Sequence, residues 1–232
     1  MSNNPNPGMT ALTIERGILY DTLRAVEHTM SADMTRPHLA GALFVFSSDK
    51  LLVVTTDGHR LTKATRRLKD GSCLGDDRSV LIDAASVIKV RKSLRCKKSE
   101  ADRDVSVLAD ESGLEIKLDG QTLNCKAVDA FFLFYGKVIP SKREIKSAKE
   151  PESLESMSGD DLLAEAYALQ RDLASMVNVC PAYLADVGKA AAEFGCGGIV
   201  LQPVCGAMDP MRFDGIADGN GEIVIIVMPM RQ

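Results

Sequence analysis

Apolar positions along the chain switch between a strand-like period of two and a helix-like period, and the switches come in a repeated order. Residues 11–15 alternate as a short strand. Ile18, Leu19, Leu23, Val26 and Met30 then recur at helical intervals over 17–30, with Pro37 beyond the end of that helix. Three apolar runs follow, at 39–46, 51–56 and 60–65, broken by the polar stretch 47–50 and by Asp57-Gly58, which predicts a β-meander. A polar loop over 69–78 closes this series. The order then repeats: a strand at 79–82, a helix over 84–98, and strands at 104–108, 114–118 and 122–128. In the second helix Asp83 is placed as N-cap, and Val87, Val90 and Leu94 share one side. Strand, helix and three strands, twice over, predict an internally duplicated α+β fold with antiparallel sheets and helices on one face.

The remainder repeats part of this order. A polar, charged stretch over 141–160 reads as linker. Leu162, Leu163, Tyr167, Leu169 and Leu173 predict a helix over 161–176, and 176–179 a short strand. Pro181 stands where a helix favours proline, at its first position, and the helix 182–194 ends at Gly195. Strands at 199–203, 211–214 and 222–228 complete one more strand–helix–three-strand unit. The expected organisation is a disordered N-terminus at 1–8, a complete domain at 9–142, a linker at 143–156 and a reduced domain at 157–232.

No apolar run approaches the roughly 20 residues of a helical membrane span, and the first residues lack the basic and apolar regions of a signal peptide. The six cysteines form no Cys-x-x-Cys pair, and only three histidines are present, so neither a disulfide framework nor a metal or other cofactor is expected. The chain is slightly acidic, at −4, but unevenly so. Residues 1–142 carry 21 basic and 18 acidic side chains, residues 143–232 carry 7 and 14. Six cations fall within ten residues: Lys89, Arg91, Lys92, Arg95, Lys97 and Lys98. Such a helix face can be solvated surface and nothing more. It also suits a polyanion, because a local basic patch releases counterions whatever the net charge of the whole chain.

Three stretches together resemble the bacterial sliding clamp, the beta subunit of the replicative DNA polymerase. The first is Thr35-Arg36-Pro37-His38-Leu39-Ala40-Gly41-Ala42-Leu43-Phe44 followed by Thr56-Asp57-Gly58-His59-Arg60-Leu61, similar to the middle clamp domain. The second is Phe134-Tyr135-Gly136-Lys137-Val138-Ile139-Pro140, similar to the run that closes that domain. Leu133 and Phe134 stand where the family usually has Pro and Asp. The third combines Asn178-Val179-Cys180-Pro181-Ala182-Tyr183-Leu184-Ala185-Asp186-Val187 with Val227-Met228-Pro229-Met230-Arg231, and resembles the last half of the third clamp domain. Nothing corresponds to the first clamp domain.

The resemblance implies a clamp-like fold and a non-enzymatic scaffold that tethers DNA polymerase or repair proteins to duplex DNA, independently of sequence, in the cytoplasm at the nucleoid. Family members close rings of six domains, each of two such halves, so a homo-oligomer is expected. The resemblance also implies a pocket for clamp-binding peptides, formed here by Leu39, Thr56, Gly58, His59, Arg60, Leu61, Val138, Ile226, Met228, Pro229, Met230 and Arg231, with Lys137 at the rim. Flexible thioethers and aliphatic walls suit varied apolar anchors, and Arg and His at the rim can bind peptide carbonyls. The alternative is an adaptor or regulator that binds such peptides without a DNA ring. Catalysis has little support. Asp57-Gly58-His59 is accounted for by a tight turn, no nucleophile is signalled, and Gly195-Cys196-Gly197-Gly198 lacks the Lys-Ser/Thr of a phosphate-binding loop.

Overall fold

The computed structural model describes residues 8–31, 33, 35–140, 179–202, 209–217 and 221–230. The first repeat comprises β1 (Thr10–Glu15), α1 (Arg16–Glu27), β2 (Ala42–Ser47), β3 (Lys50–Thr56) and β4 (Arg60–Arg67). The second follows a two-residue strand β5 (Cys73–Leu74) and comprises β6 (Arg78–Ile82), α2 (Ala84–Leu94), β7 (Asp104–Asp110), β8 (Gly113–Leu118) and β9 (Gln121–Lys126). A single helical turn, α3 (Tyr135–Val138), precedes the last unit, α4 (Pro181–Phe194), β10 (Cys196–Leu201), β11 (Met211–Ala217) and β12 (Gly221–Val227).

Among the described residues these strands form two antiparallel sheets, ordered β5-β1-β7-β8-β9 and β10-β11-β12-β4-β3-β2-β6. The repeats exchange their leading strands. β1 leaves its own meander and pairs with β7, Leu12 opposite Val107, while β6 pairs with β2, Val80 opposite Phe44. The main core lies where the sheets meet. Leu12, Val107 and Ile116 converge there with Phe44, Phe46 and Leu51, and α1 and α2 close the side with Leu19, Leu23 and Val90. Strand β3 is buried on both faces, because Leu52 and Val54 point away from this core into a second apolar cluster.

The last meander joins the same seven-stranded sheet through β12, which pairs with β4 from Arg60 opposite Val227 to Arg66 opposite Gly221. α4 lies beside α1, and α1 beside α2, so the three helices form one layer. At the seam the buried Arg66 donates to Thr22 Oγ1 and to the Phe194 carbonyl, both at 2.9 Å, and its guanidinium lies 3.5 Å from the centre of the Phe194 ring. Burial pulls the Arg66 pKa down to about 10, against the raising effect of Asp21.

Several boundaries differ from those read in the sequence. β2 begins at Ala42 rather than Leu39, because Gly41 has φ +128° and a Cβ there would lie 2.0 Å from the Ile82 carbonyl oxygen. α1 stops at Glu27, where the Thr55 hydroxyl of β3 donates to the Val26 carbonyl at 2.7 Å. α2 stops at Leu94, not at 98, and Arg95 turns to extended backbone. The buried Arg16 supplies the end of that helix: its guanidinium donates to the carbonyls of Ser93, Leu94 and Arg95 at 2.9–3.1 Å. β10 begins at Cys196, earlier than expected. The expected linker, the helix 161–176 and all but the last residue of the strand 176–179 lie outside the described residues, as do residues 1–7 of the N-terminus.

Candidate functional site

Strand pairing assembles most of the predicted pocket from distant parts of the chain. Thr56 of β3 stands opposite Leu61 of β4, Leu61 opposite Ile226 of β12, and Ile226 opposite Arg212 of β11. These four residues form one row across the sheet, on the face turned away from the helices. Leu61 and Ile226 are the floor, 2% and 0% exposed, in the same cluster as Val54, Val224 and Phe132. Arg212 donates to the Pro140 carbonyl, which ties the end of the segment 128–140 to this row.

The turn between β3 and β4 shapes one end. Asp57 Oδ1 accepts from the backbone N–H of His59 at 2.9 Å and of Arg60 at 2.8 Å. The Thr56 hydroxyl donates to the Arg60 carbonyl at 2.7 Å and accepts from Gly58 N–H at 3.1 Å. Gly58 has φ +90°, and Leu39 lies beside it. The His59 carbonyl accepts from Met228 N–H at 2.9 Å, so the chain leaving β12 is held against the turn. Met228 and Met230 are 37% and 47% exposed, so two flexible thioethers are accessible just after β12. Lys137 and Val138 sit on α3 at the solvent, Pro229 lies between the two methionines, and Arg231 falls outside the described residues.

Arg60 does not stand free at the rim as its position in the sequence suggested. Its guanidinium pairs with Asp57 at 2.9 Å and with Asp186 of α4 at 2.6 Å, and it lies 4.3 Å from the centre of the Tyr183 ring. The His59 ring stacks with the Tyr183 ring, their centroids 6.4 Å apart. Burial works to lower the Arg60 pKa, but the hydrogen bonds and charges of Asp57 and Asp186 outweigh it and the pKa rises. Burial likewise works to raise Asp186, and Arg60 and Lys189 hold it below the ordinary carboxylate range. The expected pocket did not include Tyr183, Asp186 or Arg212. Tyr183 and Asp186, three apart on a helix, had a sequence signal in the third motif. Arg212 had none, because only the β11–β12 register brings it here.

A groove of about 720 Å³ opens elsewhere, between β6 and the segment 127–137, where Phe131 and Phe134 are exposed. Of the predicted pocket residues it contains only Lys137.

The basic helix buries Val87, Val90 and Leu94, as the spacing predicts, and exposes Lys89, Lys92, Arg95, Lys97 and Lys98. Arg91 differs from them: its guanidinium pairs with Glu27 of α1 at 2.6 Å and is half-buried. No group of three or more His, Cys, Asp or Glu among the described residues is placed to hold a metal ion, and no helix among them is long and apolar enough to cross a membrane.

This architecture of two exchanged repeats, a shared seven-stranded sheet and a helix layer is similar to that of DNA sliding clamps. The structure matches the DNA polymerase sliding clamp of Pseudomonas aeruginosa with a TM-score of 0.69 at 18% identity, over all of this chain and 69% of that one. It matches the DNA polymerase III beta subunit of Thermotoga maritima with a TM-score of 0.68 at 17% identity, over 100% of this chain and 68% of that one. The profile of the DNA polymerase III beta subunit, central domain, matches residues 13–133, and the chain belongs to that family. A search of curated proteins by sequence found no match.

Proposed function

We propose that the protein is a DNA sliding clamp-like processivity factor, a non-enzymatic scaffold that tethers polymerase or repair proteins to duplex DNA through short peptides. The observation that carries this reading is the pairing of β12 with β4. It sets Ile226 beside Leu61 and Met228 against His59, so that residues far apart in the chain meet where the resemblance implies a peptide pocket, which supports this reading. A peptide with a Gln-x-x-Leu-Phe pattern will bind there, read by isothermal calorimetry. Met228→Ala or Met230→Ala will weaken it by about 1–3 kcal/mol, as for an interface anchor. Leu61 is a poorer probe, because its burial makes it part of the fold as well. Absence of binding to folded protein would overturn the peptide reading.

The exposed cations of α2 and the residues after it support the DNA half of the proposal. Encircling DNA also requires an assembly. The family resemblance implies rings of six domains, each of two halves, and the described residues supply three recognisable halves. A trimer, which needs a fourth half from the rest of the chain, is the first expectation, and a tetramer the second. Head-to-tail contacts of this kind are heterologous and close by rotation. Light scattering will find a mass of three or four chains at micromolar concentration. The mass of one chain, with or without DNA, would leave the adaptor without a ring as the function.

A further inference from the structure

We infer that Asp186 of α4 is a positioning residue of the peptide site, which fixes through Arg60 the turn that carries Gly58 and His59. The inference rests on the peptide-binding reading above and adds a residue outside the pocket to it.

Arg60 and Asp57 belong to the same turn, so their ion pair stiffens that turn without locating it on the rest of the molecule. Location comes from two contacts. One is Met228 N–H on the His59 carbonyl. The other is α4, where Asp186 takes the remaining end of the guanidinium at 2.6 Å and the Tyr183 ring, one helical turn earlier, lies under its face. Arg60 thus spends its donors inside the protein, at 13% side-chain exposure, and its use is to hold rather than to read a peptide. α4 in turn is tied to α1: Glu193 pairs with Arg24 at 2.6 Å and lies 2.7 Å from His28, while His28 is 3.9 Å from Asp186. The turn is therefore referenced to the helix layer through the Asp186 carboxylate, with the Tyr183 ring beside it.

The ion pair is partly buried, but Asp57 still neutralises Arg60 when Asp186 is altered, so no buried charge is left unpaired and the cost to global stability is small. The orientation of His59 and of the Met228 backbone, however, depends on where the turn sits, and misplacement of a preorganised site costs affinity. Binding and stability should therefore separate when Asp186 is altered.

The test uses a fluorescein-labelled Gln-Ala-Ala-Leu-Phe peptide and fluorescence anisotropy, with thermal melts of every variant. Asp186→Asn and Asp186→Ala will each raise Kd about tenfold, the equivalent of about 1.4 kcal/mol, with melting temperatures close to that of the unaltered protein. Asp186→Glu will restore most of the loss. Lys189→Ala, which removes the other cation beside Asp186, will stay within twofold. In an Arg60→Ala background, Asp186→Ala will add no further loss. If the unaltered protein does not bind the peptide, the peptide reading falls and this inference with it. If it binds and the Asp186 variants stay within twofold, the inference alone is overturned, and so it is if their effect persists without Arg60. Should Asp186→Ala melt early, the near-isosteric Asp186→Asn decides.

Discussion

Replacing Lys89, Lys92 and Lys97 together with glutamate will weaken sequence-independent DNA binding steeply while leaving the fold intact. All three side chains are exposed, whereas the residues that hold α2 in place are Val87, Val90 and Leu94, with Arg16 at its end. Surface substitutions of this kind usually cost within about 0.5 kcal/mol each. Binding to phosphate is a different matter, because every phosphate left without its cation lowers the slope of log K against log salt by about 0.9. The triple variant will therefore lose about 3 units of slope, measured by anisotropy with labelled duplex across a salt series. Arg91 supplies an internal control. Since Glu27 occupies its guanidinium, Arg91→Ala will leave the slope nearly unchanged. An unchanged slope in the triple variant would mean that these cations only solvate the helix.

Phe194→Ala will be the most destabilising single substitution at the seam between the two parts of the chain. The ring is 1% exposed and stands under the Arg66 guanidinium, next to Gly221 at the start of β12. Truncating a buried phenylalanine removes its apolar transfer energy and leaves a cavity, at a cost of about 3–5 kcal/mol. Here it also strips the cover from a buried cation, whose pKa burial has already pulled down to about 10. Urea denaturation followed by circular dichroism will show a lower midpoint with an unaltered slope. The neighbouring Ala192 is exposed, and Ala192→Ser will leave the midpoint where it was. A loss below about 1 kcal/mol for Phe194→Ala would mean that the seam is loosely packed.

Element order was legible in the sequence because the apolar period changes at each boundary, and Asp83 and Pro181 mark helix starts in the expected places. The exchange of β1 and β6 was not legible. Alternation tells which face of a strand is buried, and nothing in it names the partner strand. The two-residue β5 lay hidden in a polar loop, and Arg16 and Arg66, whose charge alone would put them at the surface, cap helix ends from within the core. At the site, family resemblance alone named Thr56, Leu61, Ile226 and Met228; strand register sets the first three in one row across the sheet, and Met228 N–H meets the His59 carbonyl. The resemblance also placed Arg60 among the peptide contacts. Only the position of α4 reveals that Asp57 and Asp186 compete for that guanidinium and win it.

The exchanged leading strands bear on how the chain reaches this structure. β1 cannot be sheltered until β7 has been made, and β6 finds its place only on β2. Neither repeat is an autonomous folding unit, and a break between residues 68 and 77 would give two fragments that each lack one strand and carry one too many. Pairing residues so distant in the chain requires large loops to close before any reward comes, which slows folding relative to a helical protein of equal size. The same interlock makes the loss of either repeat the loss of both, so residues 10–126 unfold as one cooperative body.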